Sequence, residues 1–247
     1  MDSFQEYADF YDKIYKGKDY EKEAEFVKEV IKKYSSIKVD SILSLGCGTA
    51  SHDIILAKSG FKILGIDASS KMIDIAKQKI KKENVDIEFK VVDISDFQVE
   101  EKFDFAMAMF NIVGYMAEDK VMERMLKNVS VSIKKNALFI FDCWYGPAVL
   151  KNRPENREKE IEKGLIRKTR QKLDIKNSII DIGFEISENN IIKVKEEHKI
   201  RFWYLQELEH FLEESNFKLI KVCKFLDLNS NISEDNWNMF VIAEKIN

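Results

Sequence analysis

The stretch Ser41-Ile-Leu-Ser-Leu-Gly-Cys-Gly-Thr49 constrains the fold more than any other part of the chain. A short apolar run ending on two glycines suits a fully buried parallel strand, and glycines just past its C-terminal end let a ligand approach the backbone. His52 to Lys58 reads as the helix that follows, with Ile54, Ile55 and Ala57 as its apolar positions and Gly60 as its terminator. The same alternation then repeats. Lys62 to Ile66 reads as a second strand ending at Asp67, Ser69 or Ser70 caps a helix with Met72, Ile73, Ala76 and Ile80 on one face, and Ile87 to Val92 reads as a third strand ending at Asp93. A fourth strand is expected over Phe103 to Met109, a helix over about Lys120 to Val131, and a fifth strand over Leu138 to Phe141, ending at Asp142. Strand and helix in alternation predict an α/β, doubly wound, mostly parallel sheet that binds its ligand at the C-terminal strand ends.

Ahead of this core lies an aromatic arm, Phe4, Tyr7, Phe10, Tyr11 and Tyr15, broken by Lys16-Gly-Lys-Asp-Tyr20. A helix from Asp19 follows, with Tyr20, Ala24, Val27, Ile31 and Tyr34 on its apolar side. Tyr7 and Phe10 are expected to pack the arm down.

Bulk composition narrows the function classes. With 247 residues, 45% of them hydrophobic, the chain is long enough to bury a sizeable core. Its 40 basic and 43 acidic residues, a net charge of −3, argue against a general affinity for nucleic acid or for an acidic membrane surface. No apolar run is long enough to span a bilayer, and the polar start Met1-Asp2-Ser3-Phe4-Gln5-Glu6 lacks the basic and apolar regions of a signal peptide, so a cytoplasmic address is expected. Cys47, Cys143 and Cys223 are odd in number and include no C-x-x-C pair, which indicates reduced thiols rather than a disulfide framework or a metal site.

Spacing discriminates among cofactors. A dinucleotide-binding G-x-G-x-x-G would place its third glycine where Ser51 stands, and the Lys-Ser/Thr pair of a P-loop is absent after Gly48. The remaining set is a two-glycine turn, Asp67 at the second strand end and Asp93 at the third. Asp67 is placed to accept both hydroxyls of a ribose, and Asp93 to accept from an adenine amino group. Together they describe an adenosine-containing ligand without a pyrophosphate.

This set resembles the class I S-adenosylmethionine-dependent methyltransferases, through Leu45-Gly-Cys-Gly-Thr49, Gly65-Ile-Asp67 and Val92-Asp93-Ile94. The resemblance covers most of residues 40 to 142 and, more weakly, the tail, where a helix over Leu205 to Glu214 and strands over Phe217 to Leu226 and Asn238 to Glu244 are similar to the reversed final hairpin of a seven-stranded, Rossmann-like sheet. It implies S-adenosyl-L-methionine as cofactor, with Gly46 and Gly48 flanking its methionyl part, Asp67 on the ribose, and Asp93 with the Ile94 backbone on adenine. Ala68, Met72 and Met109 are the further cofactor contacts it implies, and Cys47 is a small residue beside the cofactor rather than a nucleophile. One departure is Ala50, where the family pattern usually carries a third glycine.

Acceptor class depends on other segments. Methyltransferases of nucleic-acid bases or protein glutamine commonly carry an Asp/Asn-Pro-Pro-Tyr run after the fourth strand, whereas this chain has Met109-Phe-Asn-Ile-Val-Gly-Tyr115. Asp142-Cys-Trp-Tyr-Gly-Pro147 reads as a strand end and turn that opens an insertion. From Lys151 to Lys172 basic residues outnumber acidic ones, and Ser178 to Ile186 and Ile191 to Trp203 alternate as half-exposed strands. An antiparallel β insertion over residues 144–203 is therefore expected to cover the active site, on a core of residues 39–143 and 204–247 and behind an N-terminal lid of residues 1–38. A basic cover suits a negatively charged small acceptor, because Arg and Lys pair well with phosphate.

Tyr11-Asp12, Lys16 to Tyr20, Phe110 to Tyr115 and Glu197-His-Lys-Ile-Arg201 together resemble the N-methyltransferases of nucleotide-linked amino sugars. That resemblance implies that Tyr11 and Tyr20 close over the cofactor. Some members carry histidine at the position of Tyr115, which keeps a polar tip here and loses the imidazole. Tyr115 and His198 are the candidate proton acceptors, and Asn111, Trp144, Tyr145 and Arg201 the candidate acceptor-binding residues; His52 and His210 read as structural. Two other readings stay open at this level: methylation of oxygen or nitrogen on another small metabolite such as an amino acid, and a non-catalytic module that retains the cofactor pocket. Oligomeric state is not legible in the chain.

Overall fold

The computed structural model describes residues 6–247, so Phe4 of the aromatic arm lies outside the described residues. In chain order the elements are α1 (Ala8–Ile14), α2 (Tyr20–Tyr34), β1 (Ser41–Leu45), α3 (Ser51–Lys58), β2 (Lys62–Asp67), α4 (Ser70–Glu83), β3 (Glu88–Val91) and β4 (Phe103–Ala108). After a 3-10 turn, Ile112–Tyr115, come α5 (Asp119–Ser132), β5 (Ile133–Trp144), α6 (Gly146–Lys151), β6 (Arg157–Glu162), β7 (Leu165–Asp174), β8 (Ile179–Glu188) and β9 (Ile191–Arg201). The chain closes with α7 (Leu205–Glu214), β10 (Phe217–Lys224) and β11 (Asn238–Lys245).

Seven strands form the expected Rossmann-like sheet in the order β10-β11-β5-β4-β1-β2-β3. β1 to β5 run parallel, and β11 pairs antiparallel with both β5 and β10. The direction of strand addition reverses between β1 and β4, and a crevice opens at such a switch point. Both faces are covered, which is why β1 and β4 are almost wholly buried and largely apolar rather than alternating, with Asp104 at the start of β4 paired to Ser41 and Lys134. Leu43, Phe139 and Phe141 belong to one core layer, and their neighbours Ile42, Leu138 and Ile140 to the other. Asp19 caps α2 by accepting from the Lys22 N–H at 3.0 Å, and Ser69 caps α4 by accepting from the Met72 N–H.

A second sheet, β6-β7-β8-β9, is antiparallel throughout. It is anchored by two apolar clusters: Val149, Ile180, Ile182, Ile200 and Phe202 on one side, and Tyr7, Ile14, Leu165, Ile186 and Val194 where α1 packs against it. Tyr7 is fully buried there, as its packing role requires.

Three local expectations differ from the structure. β6 and β7 occupy the basic stretch, where charged and polar residues hide the two-residue period; β6 is exposed along almost its whole length. Gly146–Lys151 is a short helix rather than a turn, with Pro147 in its first turn, where a missing N–H costs nothing. β5 runs on past Asp142 to Trp144 because β11 pairs with it there, Phe240 opposite Asp142 and Asn238 opposite Trp144.

Candidate active site

The loop after β1 sets the site. Gly46 and Gly48 adopt left-handed backbone, φ 63° and 55°. A Cβ on Gly46 would overlap the side chain of Ile112, whereas no atom stands within 4 Å of where a Cβ on Gly48 would point. That open space beside bare backbone is a cradle for a ligand. Ala50 is also left-handed, φ 60°, so the position that departs from the glycine pattern keeps the conformation at a strain of about 1 kcal/mol.

Asp67, at the end of β2, is pinned to this loop. One carboxylate oxygen accepts from the Gly48 N–H and the other from the Ser69 N–H, each at 2.8 Å. Burial pushes its carboxyl above the ordinary range while the two N–H donors pull it back. Met72 lines the same cavity from the first turn of α4. Asp93, just past β3, is exposed and accepts from the Ser95 N–H at 2.8 Å, with Ile94 buried beside it. Ala68, Asp93 and Ile94 do not border the cavity: Ala68 and Asp93 are exposed at the strand ends beside Asp67, and the Ile94 side chain packs into the core.

The arm closes over the loop through a polar latch. Lys79 on α4 reaches Ser51 Oγ at 2.9 Å, Thr49 Oγ1 at 3.1 Å and Asp12 Oδ2 at 3.2 Å, and Thr49 Oγ1 donates to Asp12 at 2.7 Å. Tyr11 and Tyr15 thereby face the main cavity. Tyr20, Cys47, Met109 and His52 line a smaller recess beside it. His52 Nε2 stands 2.6 Å from Glu23, which also pairs with Lys18. Burial works against the Glu23 carboxylate, but hydrogen bonds from His52 and Lys18 outweigh it and hold its pKa below the ordinary value. Burial pushes the Cys47 thiol well up, in keeping with a small unreactive neighbour.

The turn after β4 forms the floor. Phe110 and Asn111 are both left-handed, φ 73° and 58°. Their N–H groups donate to the two oxygens of Asp142, at 2.5 Å and 3.0 Å. Asp142 is enclosed, and burial pushes its carboxyl up to about 7 against the pull of these donors. The Asn111 side chain packs on Gly114, where a Cβ would meet it at 2.7 Å. Tyr115 ends the 3-10 turn on the cavity wall, where burial raises its phenol well above the ordinary range.

Opposite the loop, the second sheet supplies the remaining wall. The cavity, about 330 Å³, is bordered by Arg157 on β6, Arg167, Thr169 and Gln171 on β7, Ile182 and Phe184 on β8, and Ile200 on β9. The Arg167 guanidinium stands 4.5 Å from the Phe184 ring centroid and 5.6 Å from that of Tyr15, and its Nε is buried without a hydrogen-bond partner. A cation held among ring faces beside an open space suits an anionic ligand. Trp144 borders the cavity and an outer groove that contains Lys151, Arg153 and Trp237, whose ring lies 5.3 Å from its own.

Of the residues singled out in the sequence, Tyr11, Gly46, Gly48, Asp67, Met72, Asn111, Tyr115 and Trp144 meet at one cavity. Arg201 does not. It is bound to Asp119 at 2.6 Å and to Glu207, and stacks 4.1 Å from the Trp203 ring, a structural clamp joining β9 to the first turns of α5 and α7. Tyr145 packs against the main core instead of the cavity. His198 lies behind Tyr115 rather than on the wall. Arg157 and Arg167 fall in the basic stretch expected to face an anionic acceptor and Asp142 was read only as a strand end, whereas Thr169, Gln171 and Glu23 were not singled out. The 167, 169, 171 spacing is the period of one strand face and would have flagged Arg167, Thr169 and Gln171 together had β7 been recognised.

Residues 42–136 match a family model described as a methyltransferase domain. The dTDP-3-amino-3,6-dideoxy-alpha-D-glucopyranose N,N-dimethyltransferase of Streptomyces fradiae is 28% identical over 144 residues, 58% of this chain and 54% of that protein. The matches thus span little more than half the length of the curated relatives. Among solved structures, an S-adenosylmethionine-dependent methyltransferase from Clostridium acetobutylicum ATCC 824 superposes with a TM-score of 0.85 at 19% identity, covering 98% of each chain. S-adenosylmethionine-bound CalS10, an amino pentose methyltransferase from Micromonospora echinaspora, superposes with a TM-score of 0.73 at 16% identity, covering 98% of this chain and 97% of that one. At these identities the likeness establishes the fold. Among the described residues, no helix is long and apolar enough to cross a membrane.

Proposed function

We propose, from the premise that residues 42–136 are a methyltransferase domain, that the chain uses S-adenosylmethionine to methylate the amine of a small anionic acceptor, a nucleotide-linked amino sugar. The observation that carries this reading is one cavity bordered by Gly46, Gly48 and Asp67 and also by Tyr115, Arg157 and Arg167. The names of the Streptomyces fradiae and Micromonospora echinaspora relatives point the same way.

S-adenosylmethionine bound at the glycine loop supplies an activated methyl group on sulfonium sulfur. The residues present fit it: the bare backbone at Gly48 leaves room for the methionyl part, and Asp67 offers two carboxylate oxygens beside it for ribose hydroxyls. Tyr11, on the arm tied down by the Asp12–Lys79 latch, and Tyr20, packed against His52, close over the loop and exclude water. The chain aligns the nucleophile by gripping its distant end. Arg157 and Arg167 pair with acceptor phosphate oxygens, and Trp144 with Trp237 offers an aromatic edge toward the outer groove. Tyr115 faces the position from which an acceptor amine gives up its proton.

A transfer assay with labelled S-adenosylmethionine and a panel of nucleotide-linked amino sugars tests the reading. Labelled N-methyl product is expected with at least one member, and product only from free amino acids or phenols would overturn the acceptor class. Calorimetry tests the cofactor separately. Asp67→Ala should weaken S-adenosylmethionine binding by about tenfold or more, the worth of a charge-assisted hydrogen bond.

A further inference from the structure

We infer that Tyr115, His198 and Glu196 form a proton relay leading out of the cavity, with Glu196 as the positioning residue that sets the histidine tautomer. The inference rests on the reading of the cavity as an amine site. Tyr115 Oη lies 3.4 Å from His198 Nδ1, His198 Nε2 lies 3.2 Å from Glu196 Oε2, and the other Glu196 oxygen accepts from the Tyr7 N–H at 3.2 Å. Glu196 and His198 are two apart on β9, so both side chains leave the same face of the strand. The His198 ring is buried, 5.0 Å from the Phe184 ring and nearly perpendicular to Tyr115. Of the charged groups nearby, Glu196 faces the ring directly, and Arg167 stands on the Phe184 ring from β7.

The donor and acceptor inventory decides the roles. A carboxylate only accepts, so His198 carries its proton on Nε2 toward Glu196, and the Nδ1 lone pair is left to accept from the Tyr115 phenol. The phenol oxygen can then accept from an amine in the cavity. The acceptor nitrogen forms its C–N bond as the cofactor's C–S bond breaks, with the electron pair staying on sulfur as a thioether. The surplus ammonium proton passes to Tyr115 Oη while the phenolic proton moves to His198 Nδ1. The resulting imidazolium is held by the Glu196 carboxylate and returns its proton to solvent when product leaves. Tyr115 touches the acceptor; His198 and Glu196 act through it. Glu196 is also tied through its other oxygen to the backbone of Tyr7, so the docked arm helps to hold it against His198.

Two measurements test this, one independent of any acceptor. The chain holds three histidines, so 15N-histidine spectra, assigned with His198→Asn, report each tautomer. Nε2-protonated His198 is expected in the wild type and in Glu196→Gln, with loss of that preference in Glu196→Leu; an Nδ1-protonated wild-type ring would overturn the relay. In steady-state assays with a dTDP-linked amino sugar, Glu196→Leu should lower kcat about tenfold or more, with acceptor KM changed less than about twofold, and Glu196→Gln should recover part of the loss. In a Tyr115→Phe background, Glu196→Leu should have no further effect on kcat. Additive losses, or a loss seen only in KM or in S-adenosylhomocysteine binding, would reduce His198 and Glu196 to packing and overturn the inference. Absence of turnover with every amino sugar refutes the acceptor reading, and the tautomer spectra then decide the relay alone.

Discussion

Asp142→Asn separates two opposing forces at the cavity floor. Its carboxylate is enclosed, which favours the neutral acid, yet it accepts the N–H groups of Phe110 and Asn111, which favours the anion. Burial wins, and the folded-state pKa rises from the ordinary 3.8 to about 7. Between those values the folded chain holds a proton that the unfolded chain has released. This contribution to stability is therefore complete below about pH 4 and is lost as pH rises to about 7, a total of about 4 kcal/mol at 1.4 kcal/mol per pKa unit. Asparagine has no such titration. It presents one oxygen and one amide nitrogen to two N–H donors, so one buried donor goes unmatched, a pH-independent cost of about 1–3 kcal/mol. Urea unfolding followed by tryptophan fluorescence at several pH values checks the argument. The stability of wild type relative to Asp142→Asn should fall by about 3 kcal/mol between pH 5 and pH 7.5, bringing the two together or reversing their order at the alkaline end. A difference that stays level or grows across this window would mean that the backbone donors, not burial, set the ionisation.

Three other perturbations follow from the same contacts. Gly46→Ala forces a Cβ into Ile112 at left-handed φ; a loss of about 2–4 kcal/mol in unfolding free energy is expected, together with weakened S-adenosylmethionine binding by calorimetry. Lys79→Ala removes the cation shared by Asp12, Thr49 and Ser51. The arm should then be cut faster by trypsin at Lys13 or Lys16, and cofactor affinity should fall a few-fold, as befits a partly exposed pair worth about 1 kcal/mol at most. Arg167→Met keeps much of the packing against Phe184 but removes the charge, so acceptor KM should rise about tenfold or more with a smaller change in kcat; equal KM values would place the anion elsewhere.

Much of the sheet was legible because covered parallel strands must be apolar throughout and must end where a ligand-binding turn begins. Gly46, Gly48 and Asp67 could be found this way, since their roles depend on local backbone freedom and strand-end position. The second sheet was half legible. Ile180, Ile182, Phe184 and Ile186 alternate as a strand facing a core must, but the Arg157-Glu-Lys-Glu-Ile-Glu162 strand buries almost nothing and carries no period to read. Arg201 shows the opposite failure. A lone arginine near a cavity in sequence looks like a ligand for anions, and only the arrival of Asp119 and Glu207 from two other helices turns it into a clamp.

The residue order by itself determined the doubly wound core, its cofactor-side turn and the acid at the second strand end, because strand burial, glycine conformation and strand-end placement are set within a few neighbouring residues. Tertiary structure alone decided which groups face one another across the cavity: Asp142 beneath the Phe110–Asn111 turn, Arg167 among Tyr15 and Phe184, and His198 between Tyr115 and Glu196. Except for His198 with Glu196, neighbours on one face of β9, and Arg167 with Phe184, on the adjacent strands β7 and β8, those encounters join segments dozens of residues apart. Their geometry comes from how two sheets and an arm pack together, which no local pattern of side chains encodes.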